Sequence, residues 1–407
     1  MAEFDSFINI ENIVQSEDSA YVKKDISIDN NLKITTPFKI INVSKVQSSQ
    51  LSKFINKGLV EKTKHVNQKR SFDSLYIILE EPIKDQKTDL NNFFKITNHF
   101  KTLNSVISLS FSKNPFVPNK FKNGMSKPIK YSNFEYLLDY LQEYSTLFIL
   151  IPDIDINSFN SFEEYKNYIE NAVNTTSSFN NKPIFVPLSM KLNTNQIKEL
   201  LYYYKKQNYS NIWFNFNSTQ INSKLSNIRY SLRWVKNFFK DTAMTYFSNM
   251  KKEMNKNIDD IYTKPSDFLA PFCGCDFLGA NRESAFGGNN KKMTKTEREE
   301  FKKKNILNQN RIFDSRSYYY YSILQHPGNI MNKNKILETN GLSDLLNSNI
   351  LNNELNQTKN FIEENKNIGS YLKNKKMITE DSNLKEELLF HDETQSTLLN
   401  IIDNLDI

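Results

Sequence analysis

Pro183-Ile-Phe-Val-Pro-Leu188 and Asn211-Ile-Trp-Phe-Asn-Phe216, with Thr194 to Gln207 between them, decide the fold. The two flanking runs are short, rich in β-branched and aromatic residues, and near-continuously apolar rather than alternating, as in strands covered on both faces. Between them Leu200, Leu201 and Tyr204 recur at helical spacing. A strand, a helix and a second strand in that order form a parallel crossover unit.

Working outward, the same pattern repeats. Leu32 to Val43, Ser74 to Glu80 (closed by Pro82), Ser105 to Phe111 and Thr146 to Ile151 are expected as strands on the N-terminal side, Asp267 to Phe272 and Arg311 to Ser315 on the C-terminal side. Phe134 to Tyr144, Phe162 to Val173 and Leu232 to Met254 carry apolar residues three and four apart and supply crossover helices. Eight such strands predict an α/β chain with a (β/α)8 TIM-like barrel, an N-terminal arm and a C-terminal helical extension; a doubly wound open sheet is the alternative. The expected divisions are an arm at 1–30, a barrel at 31–330 with a basic insertion at 283–308, a helical region at 331–376 and an acidic tail at 377–407. Leu342, Leu345, Leu346, Ile350, Leu355, Phe361, Ile362, Ile368 and Leu372 mark one or two amphipathic helices in that third region.

Active sites of such barrels gather at the C-terminal ends of the strands. The residues there are Ser44, Glu80, Glu81, Ser110, Ser112, Asp153, Asp155, Ser189, Asn215, Asn217, Cys273 to Asp276 and Asp314. Paired carboxylates suit the exchange of a base on a nucleoside, one meeting the positive charge that develops at the sugar carbon and the other moving a proton on the base. Asp314 and Asp153 or Asp155 are the candidates. An alternative for Asp314 is a cap on a helix beginning at Ser315, and for Asp153 and Asp155 a turn before Phe159.

Arg311-Ile-Phe-Asp-Ser-Arg-Ser-Tyr-Tyr-Tyr-Tyr321, with its Phe-Asp-Ser-x-Ser-Tyr pattern, resembles the nucleophile strand of the tRNA-guanine transglycosylase family. Thr35-Thr-Pro-Phe38, Ile151-Pro-Asp-Ile-Asp155 and Asp267 to Arg282 with Gly274 and Gly279 are similar to other segments of that family, so the resemblance spans about residues 32 to 375. It is strongest to the divergent members that insert 7-deazaguanines into DNA. The resemblance implies Asp314 as nucleophile, Asp153 or Asp155 as base-reading or acid/base group, and a base pocket of Asn215, Asn217, Cys273, Gly274, Asp276 and Tyr318. It implies exchange of guanine in a polynucleotide, DNA favoured and tRNA as the other option, for a 7-deazaguanine such as preQ0. Two departures stand out: Ser110-Phe-Ser-Lys-Asn-Pro115 lacks the acid the family carries after its third strand, and the family's zinc ligands are missing. No cofactor is therefore expected.

Lys plus Arg at 53 against Asp plus Glu at 46 gives a net charge of +7, a mild excess that suits a polyanionic partner. Lys291, Lys292, Lys295, Arg298, Lys302, Lys303 and Lys304 in the insertion, with Arg316, are the candidate phosphate contacts; the plainer alternative is a solvated helix of Glu–Lys pairs. Lys120, Lys122, Lys127 and Lys130 form a second basic stretch, and Tyr318 to Tyr321 offer rings for stacking on a base. The two cysteines are one residue apart and the four histidines scattered, so no zinc site is readable. No apolar run approaches a membrane span and no leader pattern opens the chain, so a cytoplasmic protein of a bacterial, archaeal or phage-infected cell is expected. A homodimer or a partner subunit is compatible with all of this. Two other functions fit: a non-catalytic nucleic-acid-binding or partner subunit on the same barrel, and a barrel enzyme acting on a small molecule.

Overall fold

The computed structural model describes residues 8–28, 32–43, 46, 52–53, 64–68, 72–96, 104–121, 124–179, 182–253, 261–265, 267–282, 294, 296–300, 306–307, 310–330, 332–339 and 341–389. The deciding stretch folds as expected. Strands Ile184–Ser189 and Asn211–Asn215 run parallel, with Ser189 opposite Asn215, around the helix Thr194–Lys206. Asn193 and Gln196 exchange side-chain and backbone bonds in a capping box that fixes where that helix begins. Ile197, Leu200, Leu201 and Tyr204 turn its buried face onto the sheet.

Six strands form a curled parallel sheet in the order Ile149–Leu150, Ile184–Ser189, Asn211–Asn215, Met244–Ser248, Phe277–Leu278 and Phe38–Lys39. A second parallel sheet has the order Asp153–Ile154, Ser105–Phe111, Lys64–Gln68, Ile41–Asn42. The two meet in shared runs of chain: only Ile151 and Pro152 separate Ile149–Leu150 from Asp153–Ile154, and only Ile40 separates Phe38–Lys39 from Ile41–Asn42. Pro152 has no N–H to give to a ladder, which fits a change of partner there. The curl brings Phe148 within 5.1 Å of Phe277, ring to ring, although three strands lie between their positions in the sheet order. Phe185, Trp213, Tyr246 and Phe38 complete this inner cluster; a larger cluster fills the space between strands and helices.

Four expectations need correction. Ser74 to Glu80 lies in a helix, Phe72–Glu80, with Leu75, Tyr76 and Leu79 buried and Ile77 exposed; a short apolar run does not distinguish strand from helix. The strand beside Ser105–Phe111 is instead the polar Lys64–Gln68. Asp267 to Phe272 is a turn entering a short 3-10 helix, Ala270–Cys273, with Pro271 in its first turn; the strand follows it, at Phe277–Leu278. Within Leu232 to Met254 the helix stops at Phe239, and Met244–Ser248 is a fully buried strand. Arg311–Asp314 is a strand, but it pairs antiparallel with Tyr319–Ser322 in a small sheet with Tyr262–Thr263.

Residues expected as an irregular arm form two strands, Ile8–Gln15 and Val22–Ile28, of an antiparallel sheet completed by Leu32–Thr36. Ile8, Ile26, Ile28 and Ile34 of this sheet join the inner cluster. The same segment is fastened to the far end of the chain: Tyr21 Oη shares a hydrogen bond with Thr358 Oγ1, Glu17 N donates to Lys366 O, and Gly369 N donates to Asp18 Oδ2.

The helix Leu342–Asn365 covers two open strand edges with side-chain amides. Asn352 accepts from Lys39 N and donates to Lys39 O, and Asn347 accepts from Phe313 N and donates to Arg311 O. Each amide satisfies one backbone donor and one acceptor that an edge would otherwise leave bare. Among the described residues, no helix is long and apolar enough to cross a membrane.

Gly279, just past Phe277–Leu278, has no room for a side chain: a Cβ there would lie 2.3 Å from Tyr246 Oη and 2.8 Å from Ser248 Cβ. Gly279→Ala is expected to cost about 1–3 kcal/mol through overpacking, read as a lower urea midpoint with an unchanged slope.

Candidate functional site

Register carries the polar residues at the C-terminal ends of the parallel strands into one layer. Asp153 is opposite Ser110, Ser189 is opposite Asn215, and Asn215 is opposite Ser248. Asp153 is the centre of that layer and is 1% exposed. Its Oδ1 accepts from Tyr165 Oη at 3.0 Å, and its Oδ2 accepts from Asn215 Nδ2 at 2.6 Å and Asn217 Nδ2 at 3.3 Å. Asn215 also donates to Ser110 Oγ and accepts from Asn249 Nδ2, and Asn217 donates to Ser189 Oγ. Asn217 and Ser218 reach these positions with positive φ, 47° and 70°, the left-handed conformation that asparagine tolerates better than most residues.

Burial raises the Asp153 carboxyl to about 6, although the amide and phenol donors pull the other way. Burial holds Tyr165 well above the ordinary phenol value, so its hydroxyl stays a donor. Asp155, two residues on, is differently placed: Oδ2 is 2.6 Å from Lys191 Nζ, and Oδ1 accepts from Asn157 N at the start of a 3-10 turn. Of the two candidates, Asp153 is the one brought together with Asn215 and Asn217.

A cavity lies beside this layer, lined by Lys39, Lys252, Asp267, Asn281, Tyr320 and Asp344 among others. The two connect through the backbone, because Asn249 N donates to Ala280 O and Asn281 follows. Asp267 Oδ2 accepts from Tyr320 Oη and from Asn281 Nδ2, while Asp267 Oδ1 and Asn281 Oδ1 are buried with no hydrogen-bond partner among the described residues. Lys252 pairs with Asp344 at 3.0 Å. Lys39 Nζ donates to Gly279 O at 2.6 Å, and burial brings its amine down to about 8 against the pull of Asp267, with Lys252 adding a smaller lowering.

The remaining candidates fall elsewhere. Asp314 accepts from Ser317 N and Ser317 Oγ, closing the turn between Arg311–Asp314 and Tyr319–Ser322. Tyr318, in that turn, donates to Glu354, whereas Asn347 of the same helix lines the cavity. Phe313, next to Asp314, bonds through its N to Asn347 and lies opposite Tyr320, two cavity-lining residues, but Asp314 itself is not in the lining. Cys273, Gly274 and Asp276 lie at the N-terminal ends of the strands. Gly274 has φ 81° at the end of its 3-10 turn, Cys273 is buried, and Asp276 binds Lys24, Thr36 and Thr245. The four tyrosines do not share one pocket: Tyr318 donates to Glu354 and Tyr320 to Asp267, while Tyr319, which donates to Glu380, and Tyr321 both pack on Tyr262. Arg298 and Arg316 are exposed; Lys291, Lys292, Lys295, Lys302, Lys303 and Lys304 lie outside the described residues.

Lys39, Lys252, Asn281, Asn249 and Asp344 were not singled out from sequence. Lys39 did leave a signal, a charge inside the apolar run Phe38-Lys-Ile-Ile41, where an unpaired lysine is costly. Asn249 was hidden in a stretch assigned to a helix.

No family model matches the chain, and neither does any curated protein. Among solved structures, one described as "QR15, an Aldolase" aligns over 58% of this chain and 85% of its own, at 13% identity and a TM-score of 0.31. A score that low carries no argument about fold or chemistry.

Proposed function

We propose that the chain is a base-exchange enzyme on a (β/α)8 barrel, acting on guanine in a polynucleotide, DNA in preference to tRNA. The parallel pairing on both sides of each shared run supports reading the two sheets as one closed ring of eight strands. The observation that carries the function is the Asp153 layer: a buried carboxylate steered by two asparagines at the strand ends, where a base must be read. A carboxylate has about four acceptor positions and Asp153 uses three, leaving one for an N–H of guanine or of an incoming 7-deazaguanine. Half-buried Asn217 turns aside to admit the base.

In this reading Asp267 takes the place first given to Asp314, since its Oδ1 lines the cavity with no partner among the described residues. The Asp267 carboxylate adds to the sugar carbon as the bond from that carbon to guanine breaks, and the departing guanine takes up a proton. The incoming base then displaces the carboxylate and gives up a proton, so the exchange consumes none.

The test is release of labelled guanine from DNA and from tRNA, each supplied with a 7-deazaguanine. Asp267→Asn is expected to lose at least about a thousandfold in rate and Asp314→Asn less than about tenfold. The opposite pattern returns the nucleophile to Asp314, and no release by the wild type from either polymer sinks the enzyme reading. The second reading, a binding or partner subunit, draws on Gly279: the last parallel strand ends in a residue with no room for a side chain, hence no acid. That reading predicts salt-sensitive oligonucleotide binding without release.

A further inference from the structure

The cavity contains a nucleophile that base exchange does not use. Lys39 is 6% exposed, projects from an otherwise apolar strand run, and has a backbone carbonyl, Gly279 O, as its hydrogen-bond acceptor. Around it stand two buried acceptors without partners among the described residues, Asp267 Oδ1 and Asn281 Oδ1, and a phenol, Tyr320, that donates to Asp267. Unpaired acceptors of this kind are costly to bury and call for a ligand that brings O–H or N–H donors. A lysine desolvated beside a second cation, here Lys252, has the amine chemistry that attacks carbonyl carbon.

We propose that Lys39 captures an aldehyde or ketone bearing hydroxyl groups, as a covalent imine inside this cavity. The neutral Nζ adds to the carbonyl carbon, and the C=O π pair moves to oxygen. A proton passes from nitrogen to that oxygen, the carbinolamine loses water, and a C=N bond to Lys39 remains. One amine and one carbonyl become one imine and one water, with no oxidant or reductant. Asp267 Oδ1 and Asn281 Oδ1 accept from the ligand's hydroxyls and hold its carbon against Nζ. The amine, brought down to about 8 by burial, is about half neutral at pH 8, where an ordinary lysine is less than about 1% neutral.

Two sources offer this chemistry: a free hydroxyaldehyde, and the ring-opened deoxyribose at a site that has lost its base. The inference stands without the base-exchange reading. The experiment treats the full-length protein with cyanoborohydride and either glycolaldehyde or an oligonucleotide carrying one abasic deoxyribose, and maps the reduced adducts by peptide mass. At pH 8 Lys39 is expected to label at least about tenfold faster than Lys33, whose side chain is 75% exposed. From pH 8 to pH 10 its labelling is expected to rise only about twofold, against more than about tenfold for an ordinary lysine. Asn281→Leu, which removes an acceptor without removing a charge, slows labelling of Lys39 and leaves Lys33 unchanged. Adduct with glycolaldehyde alone identifies a free carbonyl ligand, and adduct with the oligonucleotide identifies the sugar. Lys39 labelling with neither probe, or no faster than Lys33 in the folded wild type, overturns the proposal; the wild-type map decides this even if Lys39→Arg does not fold.

Discussion

If the chain exchanges bases as proposed, Asp153→Asn is expected to reduce that exchange by at least about a thousandfold, because the substitution reverses the hydrogen-bonding sense at the centre of the strand-end layer. The carboxylate accepts from Tyr165, Asn215 and Asn217. An amide has one acceptor oxygen, and its NH2 would face the donors of Asn215 and Asn217, whose own oxygens and amides are engaged with Asn249, Ser110 and Ser189. A buried donor facing donors costs about 1–3 kcal/mol, and the position that accepts from a base is lost with it. The proposed exchange by the wild-type protein is expected to fall as pH falls through about 6, since protonated Asp153 no longer offers both oxygens.

The sign for stability is opposite to that of most acids. The folded-state value of Asp153 is raised from the ordinary 3.8 to about 6, so the native state holds this proton more tightly than the unfolded chain does. Its contribution is therefore unfavourable above about pH 6 and is relieved as pH falls from about 6 towards 4, by roughly 3 kcal/mol in all. Urea unfolding of wild type and Asp153→Asn at pH 7 and pH 5 measures this. The wild type should gain stability relative to the variant as pH falls, and a gap independent of pH would refute the assignment.

Asp276→Ala is expected to cost about 3–5 kcal/mol of stability, a different loss at the opposite end of the strands. Lys24 and Asp276 pair at 3.0 Å with side chains 9% and 3% exposed, so removing the acid strands a buried ammonium that keeps only Ala243 O and a weak sulfur contact. Thr36 Oγ1, Thr245 N and Thr245 Oγ1 lose an acceptor as well. The double substitution Lys24→Met/Asp276→Leu should recover most of the loss, because an apolar pair removes both charges together. Urea midpoints for the four members of this cycle test it; additive losses would show that the pair does not act as a unit. In the protein that remains folded, base affinity should be unchanged, since Asp276 stands at the far end of the strands from Asp153.

Where apolar runs were long and capped, structure was legible in the sequence. Ser105–Phe111, Ile184–Ser189 and Asn211–Asn215 are strands because seven, six and three consecutive residues are apolar or small, the last three flanked by asparagines. Lys64–Gln68 was illegible because four of its five residues are polar, with only Val66 apolar, although backbone pairing to parallel neighbours on both sides makes it a strand. Met244–Ser248 was hidden by the amphipathic helix just before it, which ends only because Lys240 takes φ 52°. At the site, the rule that chemistry gathers at strand ends placed Asp153, Asn215 and Asn217 together without any view of their contacts. The same rule misplaced Asp314, because an antiparallel strand reads like a parallel one when only its own residues are inspected.

The fastening of Tyr21 to Thr358 also sets the order in which this molecule can be completed during synthesis. The two residues are 337 positions apart. At 5–20 residues per second, roughly 20–70 s pass between the emergence of the first strands and that of the helix that covers them. For the first part of that interval, until Phe277 has been added, Ile8, Ile26 and Ile28 lack the complete inner aromatic cluster against which they pack. The contacts of Glu17, Asp18 and Tyr21 with Lys366, Gly369 and Thr358 can form only once that far segment has been made.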